Sequence, residues 1–243
     1  MPASAAAAGP AIYAVDPWVH GNRHLRHQLL SDDERALLAK ISSIVRIKKG
    51  EAIYNEGDAA EAAFNVISGV VMIYRALAEG EHVSSFLYQG DLFGLSEQGT
   101  YSNSARATTA VVAYKIPIPA LRRILEQHAD LDVDLIIKLC EGLREAQRHA
   151  LLLARKRAVT RLAMFLELLE RLQIARGEPA SEIHLAMGRS SIAAYLGLTL
   201  SALSRAFRTL TLRQIISARD LRHIRIVDRA AFQKLADTRH GES

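Results

Sequence analysis

Four side chains in one short stretch, Ser201, Ser204, Arg205 and Arg208, have the types and spacing to read DNA. They fall at i, i+3, i+4 and i+7, which places them on one face of a helix. A serine hydroxyl both donates and accepts. A guanidinium presents a planar fork of N–H donors that matches the O6 and N7 acceptors of guanine in the major groove. Arg205 is the expected base reader. Arg208, nearly a turn further along, is the expected phosphate contact.

The flanking residues say how that face is held. Thr199 can cap the helix start, and Leu200, Leu203, Ala206, Phe207 and Leu210 form its expected packed side. Before it, Ile192, Ala193, Leu196 and Leu198 recur at near-helical spacing, with Ser190 or Ser191 as the expected cap. Gly197 supplies the positive φ that ends this first helix. Two short helices meeting at one glycine predict a helix-turn-helix, whose second helix enters the major groove of double-stranded DNA. Residues 214–227 read as a β-hairpin and 230–236 as a closing helix, so the unit is a winged helix. Arg219, Arg222 and Arg225 in or near the wing are expected on phosphates. The expected DNA contacts are Arg189, Ser190, Thr199, Ser201, Ser204, Arg205, Arg208 and Arg222.

The charge distribution agrees. The chain has 243 residues and a net charge of +5; residues 1–143 hold 13 Lys/Arg and 17 Asp/Glu, whereas residues 144–243 hold 18 and 9. A basic half joined to an acidic one suits a polyanion-binding module with a second function attached. At 49% hydrophobic the chain can bury a real core, yet no apolar run reaches membrane-spanning length. The start, MPASAAAAGP, lacks the basic and apolar regions of a secretion signal. The single cysteine, Cys140, excludes an internal disulfide or an all-cysteine metal site within one chain. A cytoplasmic home is expected, with no membrane partner.

The remaining chain supplies the second function. Residues 1–15 read as a disordered tail. His20, His24 and His27 share a helical spacing that suits a solvated face or, in principle, metal or heme ligation. Ser31 opens a short helix, and from Ser43 to Pro119 short β-rich runs alternate with Gly50, Gly57, Gly69, Gly80, Gly90 and Gly94, which predicts a β-sandwich or roll. No nucleophile elbow, Walker loop or His-Glu zinc pair is present, so no enzymatic role is expected. From about Leu131 to Ala154 a long helix carries Ile136, Leu139, Leu143, Ala146, Ala150 and Leu153 at alternating spacings of three and four. That seam fits a second helix, and the expectation is a homodimer. Val133, Leu135, Leu151 and Leu152 form a second face for the chain's own roll, and Cys140 is read as a small buried hydrophobe. Arg155, Lys156 and Arg157 mark a hinge before an amphipathic helix over 158–174.

The order of roll, long helix and winged helix resembles the Crp/Fnr family of bacterial transcription regulators, over about residues 28–237. The segments GEAIYNEGD (50–58), GDLFGL (90–95), LLLARKRAVTRLAMFL (151–166) and SSIAAYLGLTLSALSR (190–205) carry it, and the last two are the most specific. The second half of the resemblance looks like the Fnr and FixK branches. It implies an α+β chain. Residues 1–27 form a flexible segment, 28–127 a roll similar to a cyclic-nucleotide-binding jelly roll, 128–157 the dimerisation helix and hinge, and 158–243 the winged helix. It also implies a dimeric activator that touches RNA polymerase.

The departures are informative. The family's Glu-x-x-Ser-Arg is here Ser201 to Arg205, with the glutamate replaced by Ser201, which is less selective toward cytosine. Members that bind cyclic AMP carry a glutamate and an arginine where this chain has Leu95 and Tyr101, and a Thr-Ser pair where it has Ala146 and Gln147. Without that arginine a buried phosphate lacks its charge-assisted bonds. The iron–sulfur branch needs four cysteines. No cofactor is therefore expected. The alternative is a sensor gated by heme or another small molecule held between roll and long helix, with His20, His24, His27, His128 and His149 as candidate iron ligands.

Overall fold

The glycine-punctuated runs close into two four-stranded antiparallel sheets. The computed structural model describes residues 32–179 and 181–236, without the side chains of 32–36 and 129–134. The expected tail, the Ser31 cap, the side chain of Val133, and His20, His24 and His27 lie outside the described residues. Helix α1 (Asp32–Ile41) leads into β1 (Ser43–Ile47), β2 (Ala52–Tyr54), β3 (Ala62–Ser68) and β4 (Val71–Leu77). These are followed by β5 (Gly80–Leu87), β6 (Leu92–Phe93), β7 (Ser104–Ala107) and β8 (Val111–Pro117). The sheets run β1-β8-β3-β6 and β2-β7-β4-β5, a roll in which neighbours along the chain mostly sit in opposite sheets. Tyr54, Phe64, Val66, Val71, Ile73 and Phe93 fill the space between them. At Gly69 (φ 90°) a Cβ would stand 2.2 Å from the Ala110 carbonyl oxygen, so the β3–β4 turn accepts glycine alone.

Helix α2 (Ile118–Leu125) packs Leu121 against Ala63 and Ile116 on the outside of the roll. Helix α3 (Ala129–Leu153) follows; its 25 residues span about 37 Å at the helical rise. Ile136, Leu139 and Leu143 are 58%, 54% and 61% exposed, and Ala146 and Ala150 are exposed as well. Leu153 differs from these five: it is half-buried against the core of the C-terminal half. On the face expected to meet the roll, Leu152 is buried but Leu151 is exposed, because α3 touches the roll chiefly at β5 and leaves Leu151 outside that contact. Cys140 is also exposed rather than buried, since none of the described residues covers that face of the helix.

The C-terminal half comprises α4 (Ala158–Ala175), β9 (Ile183–His184), α5 (Arg189–Leu196), α6 (Leu200–Leu212), β10 (Ile216–Ala218), β11 (His223–Ile226) and α7 (Arg229–Ala236). Leu162, Leu166, Ile183, Leu185, Ile192, Leu196, Leu203, Leu210 and Phe232 are fully buried in one core. Val70, Met72, Tyr74 and Val83 from the roll join it, so the two halves share a continuous apolar interface. The hairpin expected over 214–227 forms and gains a third strand, β9, giving the order β10-β11-β9. Glu170 on α4 is buried and accepts a bidentate pair from Arg229 at 2.6 and 2.7 Å, tying α4 to the start of α7.

Candidate DNA-binding interface

Helix α6 is built as its sequence demands. The Thr199 hydroxyl oxygen accepts from the Ala202 amide at 3.1 Å, and Leu203, Ala206 and Leu210 are buried with Phe207 packed beside them. Ser201, Ser204, Arg205 and Arg208 lie on the exposed side. Leu200, the first residue of α6, joins them at 56% exposure rather than the packed side, because the described residues leave it uncovered. Neither Arg205 nor Arg208 forms an ion pair among the described residues, so both guanidinium groups keep their donors for a ligand. Gly197 takes φ 60° as the left-handed end of α5, and its Cβ position would stand 3.2 Å from Leu153 and 3.3 Å from Arg161.

Helix α5 begins differently from the sequence expectation. Its N-cap is Gly188, and neither Ser190 nor Ser191 makes a capping hydrogen bond. Ser190 is exposed. Arg189 lies with its guanidinium 3.6 Å over the Phe207 ring, which joins the start of α5 to α6. Its burial disfavours the charged form, and its Nη1 is buried without a partner among the described residues.

The wing presents a second basic surface. Arg219 and Arg225 approach Glu182 at 3.4 and 3.7 Å, whereas Arg222 is exposed at the tip. Asp220 accepts from the Arg222 amide at 2.7 Å, from the His223 amide at 2.9 Å and from the His223 ring. These bonds, the Arg222 amide first, hold its carboxyl down at about 2 and fix the tip. A helix offering two arginines without an ion pair among the described residues, with a basic hairpin beside it, matches the major-groove geometry of a winged helix.

Comparison with known proteins agrees with this geometry. Residues 44–128 match the cyclic nucleotide-binding domain family, and residues 160–235 match the Crp-like helix-turn-helix domain family. The chain is 35% identical over 196 residues to the nitrogen fixation regulation protein FixK of Rhizobium meliloti, covering 80% of this chain and 87% of that protein. It is 33% identical to the transcriptional activator protein Anr of Pseudomonas aeruginosa, covering 78% and 79%. The solved structure of FixK2 from Bradyrhizobium japonicum superposes with a TM-score of 0.75 at 29% identity, covering 82% of this chain and all of that one. The chain belongs to the Crp/Fnr family. It is a DNA-binding transcription regulator.

In this Crp/Fnr regulator Tyr101, at the position where the resemblance expects an arginine for a cyclic nucleotide, is engaged within the fold. Tyr101 is buried, stacks on Tyr54 with ring centroids 3.7 Å apart, and donates its hydroxyl to the Ala62 carbonyl at 2.7 Å. Burial and the neighbouring phenol push Tyr54 far above its ordinary pKa, so both rings remain neutral donors in the core. Leu95 is partly exposed beyond the Gly90–Gly94 turn. Between β5, α3 and α4 a cleft of about 230 Å³ is lined mainly by Phe86, Tyr88, Phe165, Leu169 and Leu172, and no histidine among the described residues lines it. His128 is the N-cap of α3 without a side-chain bond.

Two side chains join the elements around the hinge: Arg161, which the sequence did not single out, and His149, a candidate iron ligand whose ring is engaged within the fold instead. Arg161 on α4 donates from Nε to the Arg155 carbonyl at 2.7 Å, and from Nη1 to the Leu196 and Gly197 carbonyls at 2.9 and 3.1 Å. It therefore joins the hinge to the end of α5. His149 on α3 is buried, stacks on Tyr195 at 4.0 Å, and meets the Tyr195 carbonyl through Nε2 at 2.7 Å. No local pattern marks these contacts, because the α5 partners Tyr195, Leu196 and Gly197 lie tens of residues away from His149 and Arg161.

Proposed function

We propose that this regulator is a homodimeric transcription activator that binds a palindromic promoter site and contacts RNA polymerase. It acts in the cytoplasm, without cyclic AMP or an iron–sulfur cluster and with no enzymatic step. The observation that carries the DNA reading is the unpaired, exposed pair Arg205 and Arg208 on α6. Arg205 reads a guanine; Ser201 and Ser204 meet neighbouring base edges; Arg208, Arg222, Ser190 and Arg189 serve the backbone. Thr199 holds the start of the helix. The similarity to Anr, a transcriptional activator protein, supports activation.

The exposed stripe Ile136, Leu139, Leu143, Ala146 and Ala150 supports the dimer, with Leu153 at its end turned toward the DNA-binding core. Two copies paired there present two recognition helices to two half-sites. The roll to residue 127, the helix and hinge over 128–157, and the winged helix from 158 are the working units. The residues of the roll do not fit a cyclic nucleotide: the position that should offer a guanidinium to the phosphate is Tyr101, spent on Tyr54 and Ala62.

The test is selection of bound DNA from a random pool, followed by titration of single-base variants at two salt concentrations. Arg205→Ala should cost about 1–3 kcal/mol and relax preference at one base pair of each half-site. Arg208→Ala should weaken all sequences alike and lower the salt slope by about one. A uniform loss from Arg205→Ala, with base preferences intact, makes Arg205 a phosphate contact and overturns the assignment.

A further inference from the structure

A second cleft, of about 260 Å³, lies where the roll meets the C-terminal half. Tyr88 and Gln89 after β5 form one wall, and Gln173 and Arg176 at the end of α4 form the other, with His184 of β9 beside them. Most polar groups here are already engaged. The Gln173 amide donates to the Glu182 carbonyl at 3.0 Å, and its Oε1 accepts from the His184 amide at 2.7 Å. The Thr109 hydroxyl accepts from the Val70 amide at 2.9 Å.

Two groups are left over. The Tyr88 hydroxyl and Arg176 Nη1 are buried and have no hydrogen-bond partner among the described residues. Arg176 donates from Nε and Nη2 to Glu178 at 2.6 and 3.2 Å, which leaves the third nitrogen, and its guanidinium lies 4.6 Å over the Tyr88 ring. Burial pushes the Tyr88 phenol well above its ordinary pKa, so it stays a donor. Two buried donors on residues that line one cleft, neither with an acceptor among the described residues, are a costly arrangement that a bound acceptor would relieve. The other walls include Val70, Leu169 and Ala186. Ser68, Gln89, Thr109 and Glu178 make the rest of the lining polar, and a concave mixed surface with a few unmet polar groups beside an apolar patch suits a small polar ligand.

We propose that this cleft binds a small organic acid, whose carboxylate accepts from Arg176 Nη1 and the Tyr88 hydroxyl while its carbon skeleton rests on Val70 and Leu169. A carboxylate supplies two acceptors and makes the Arg176 bond charge-assisted, which a neutral carbonyl does not. Tyr88 belongs to the roll and Arg176 to the DNA-binding half, so the acid spans the junction. Any preference it has for one arrangement of the halves changes DNA affinity by the same factor that DNA changes acid affinity. The proposal goes beyond the DNA-binding reading and does not depend on it.

Calorimetry on the full chain with acetate, succinate and 2-oxoglutarate, and with succinamide as the neutral control, tests the site. At least one acid should bind with Kd of about 1 mM or tighter, and succinamide should bind at least about ten-fold more weakly than succinate. Arg176→Gln should weaken the acid about ten-fold or more, and Tyr88→Phe about three-fold or more. Tyr88→Phe removes only an unpartnered hydroxyl, so its melting temperature should equal or exceed the parent's, which separates loss of binding from loss of fold. Absence of binding by all three acids at about 10 mM overturns the proposal. So does equal binding of succinamide, or parental affinity in both variants.

Discussion

Inside the roll, Tyr54 and Tyr101 stack 3.7 Å apart and Tyr101 donates to Ala62, while on α6 Arg205 and Arg208 stand exposed with no ion pair among the described residues. The roll matches the cyclic nucleotide-binding domain family and the C-terminal half the Crp-like helix-turn-helix family. Only the second has, on its candidate binding face, arginines without an ion pair among the described residues. In the roll, the polar positions have been turned inward and satisfied by the fold itself, so the group there contributes stability. On α6, the fold satisfies the backbone through Thr199 and Gly197 and leaves the side chains unmet. On the proposed reading, a shared architecture does not by itself carry a ligand; unspent donors at the site do.

The sharpest way to break this comparison is Tyr101→Ala. If Tyr101 is core, its removal opens a cavity beside Tyr54 and should cost about 3–5 kcal/mol. Chemical denaturation measures this, and added cyclic AMP should restore none of the loss. A small cost, or recovery with the nucleotide, would return the roll to the class of open sites.

Next in size is the stripe on α3. Leu143 is 61% exposed in the single chain, and Leu143→Asp places a carboxylate where the partner helix is proposed to bury it. Sedimentation should show a monomer, and affinity for a two-half-site operator should fall about 100-fold or more through lost bivalency. An unchanged dimer would mean that the stripe is covered by something other than a second copy.

A smaller effect is expected at Glu170. This carboxylate is buried, but its partner Arg229 has a side chain 51% exposed, so solvent screens part of the pair. Glu170→Gln should cost about 1–2 kcal/mol, below the loss from breaking a fully buried pair. The melting temperature of the variant measures it, and a loss as large as that of Tyr101→Ala would show that the pair is more enclosed than its exposure indicates.

The two regions also differ in how far the sequence announces them. The turn at Gly197, the cap at Thr199 and the apolar side of α6 at Leu203, Ala206 and Leu210 are local patterns, and the structure contains them. The strands of the roll follow from glycines that take positive φ between short apolar runs. What local pattern does not supply is partnership at long range. Strand β9 has two residues and exists only because Ile183 and His184 pair with β11. Arg161, His149 and the Glu170–Arg229 pair act across tens of residues and carry no local signal. Leu200 and Cys140 are exposed against expectation for a related reason: apolar character at the right period says which face an element prefers, but exposure depends on which other elements cover that face.

The joint between the two regions gives the finest test. His149 is buried against Tyr195, with the His82 ring of β5 at 6.2 Å and Glu145 one turn earlier on α3. Burial dominates and pushes its pKa below the ordinary histidine value, despite the hydrogen bond to the Tyr195 carbonyl. The folded chain therefore binds fewer protons here than the unfolded chain. The stability contribution is complete above the unfolded pKa of about 6.5 and is lost as pH falls below it, until the folded pKa is reached. His149→Phe keeps the stacked ring but neither titrates nor donates. At pH 7.5 it should melt a few degrees lower, by about 2–4 °C for a loss near 1 kcal/mol. Between pH 7.5 and 5.5 its melting temperature should fall less than the parent's. Some slope should remain, because burial also lowers His184, beside His223 and Arg222. Parallel curves for parent and variant over that range would show that His149 takes up its proton without leaving Tyr195, and that this contact is a pH-independent part of the joint.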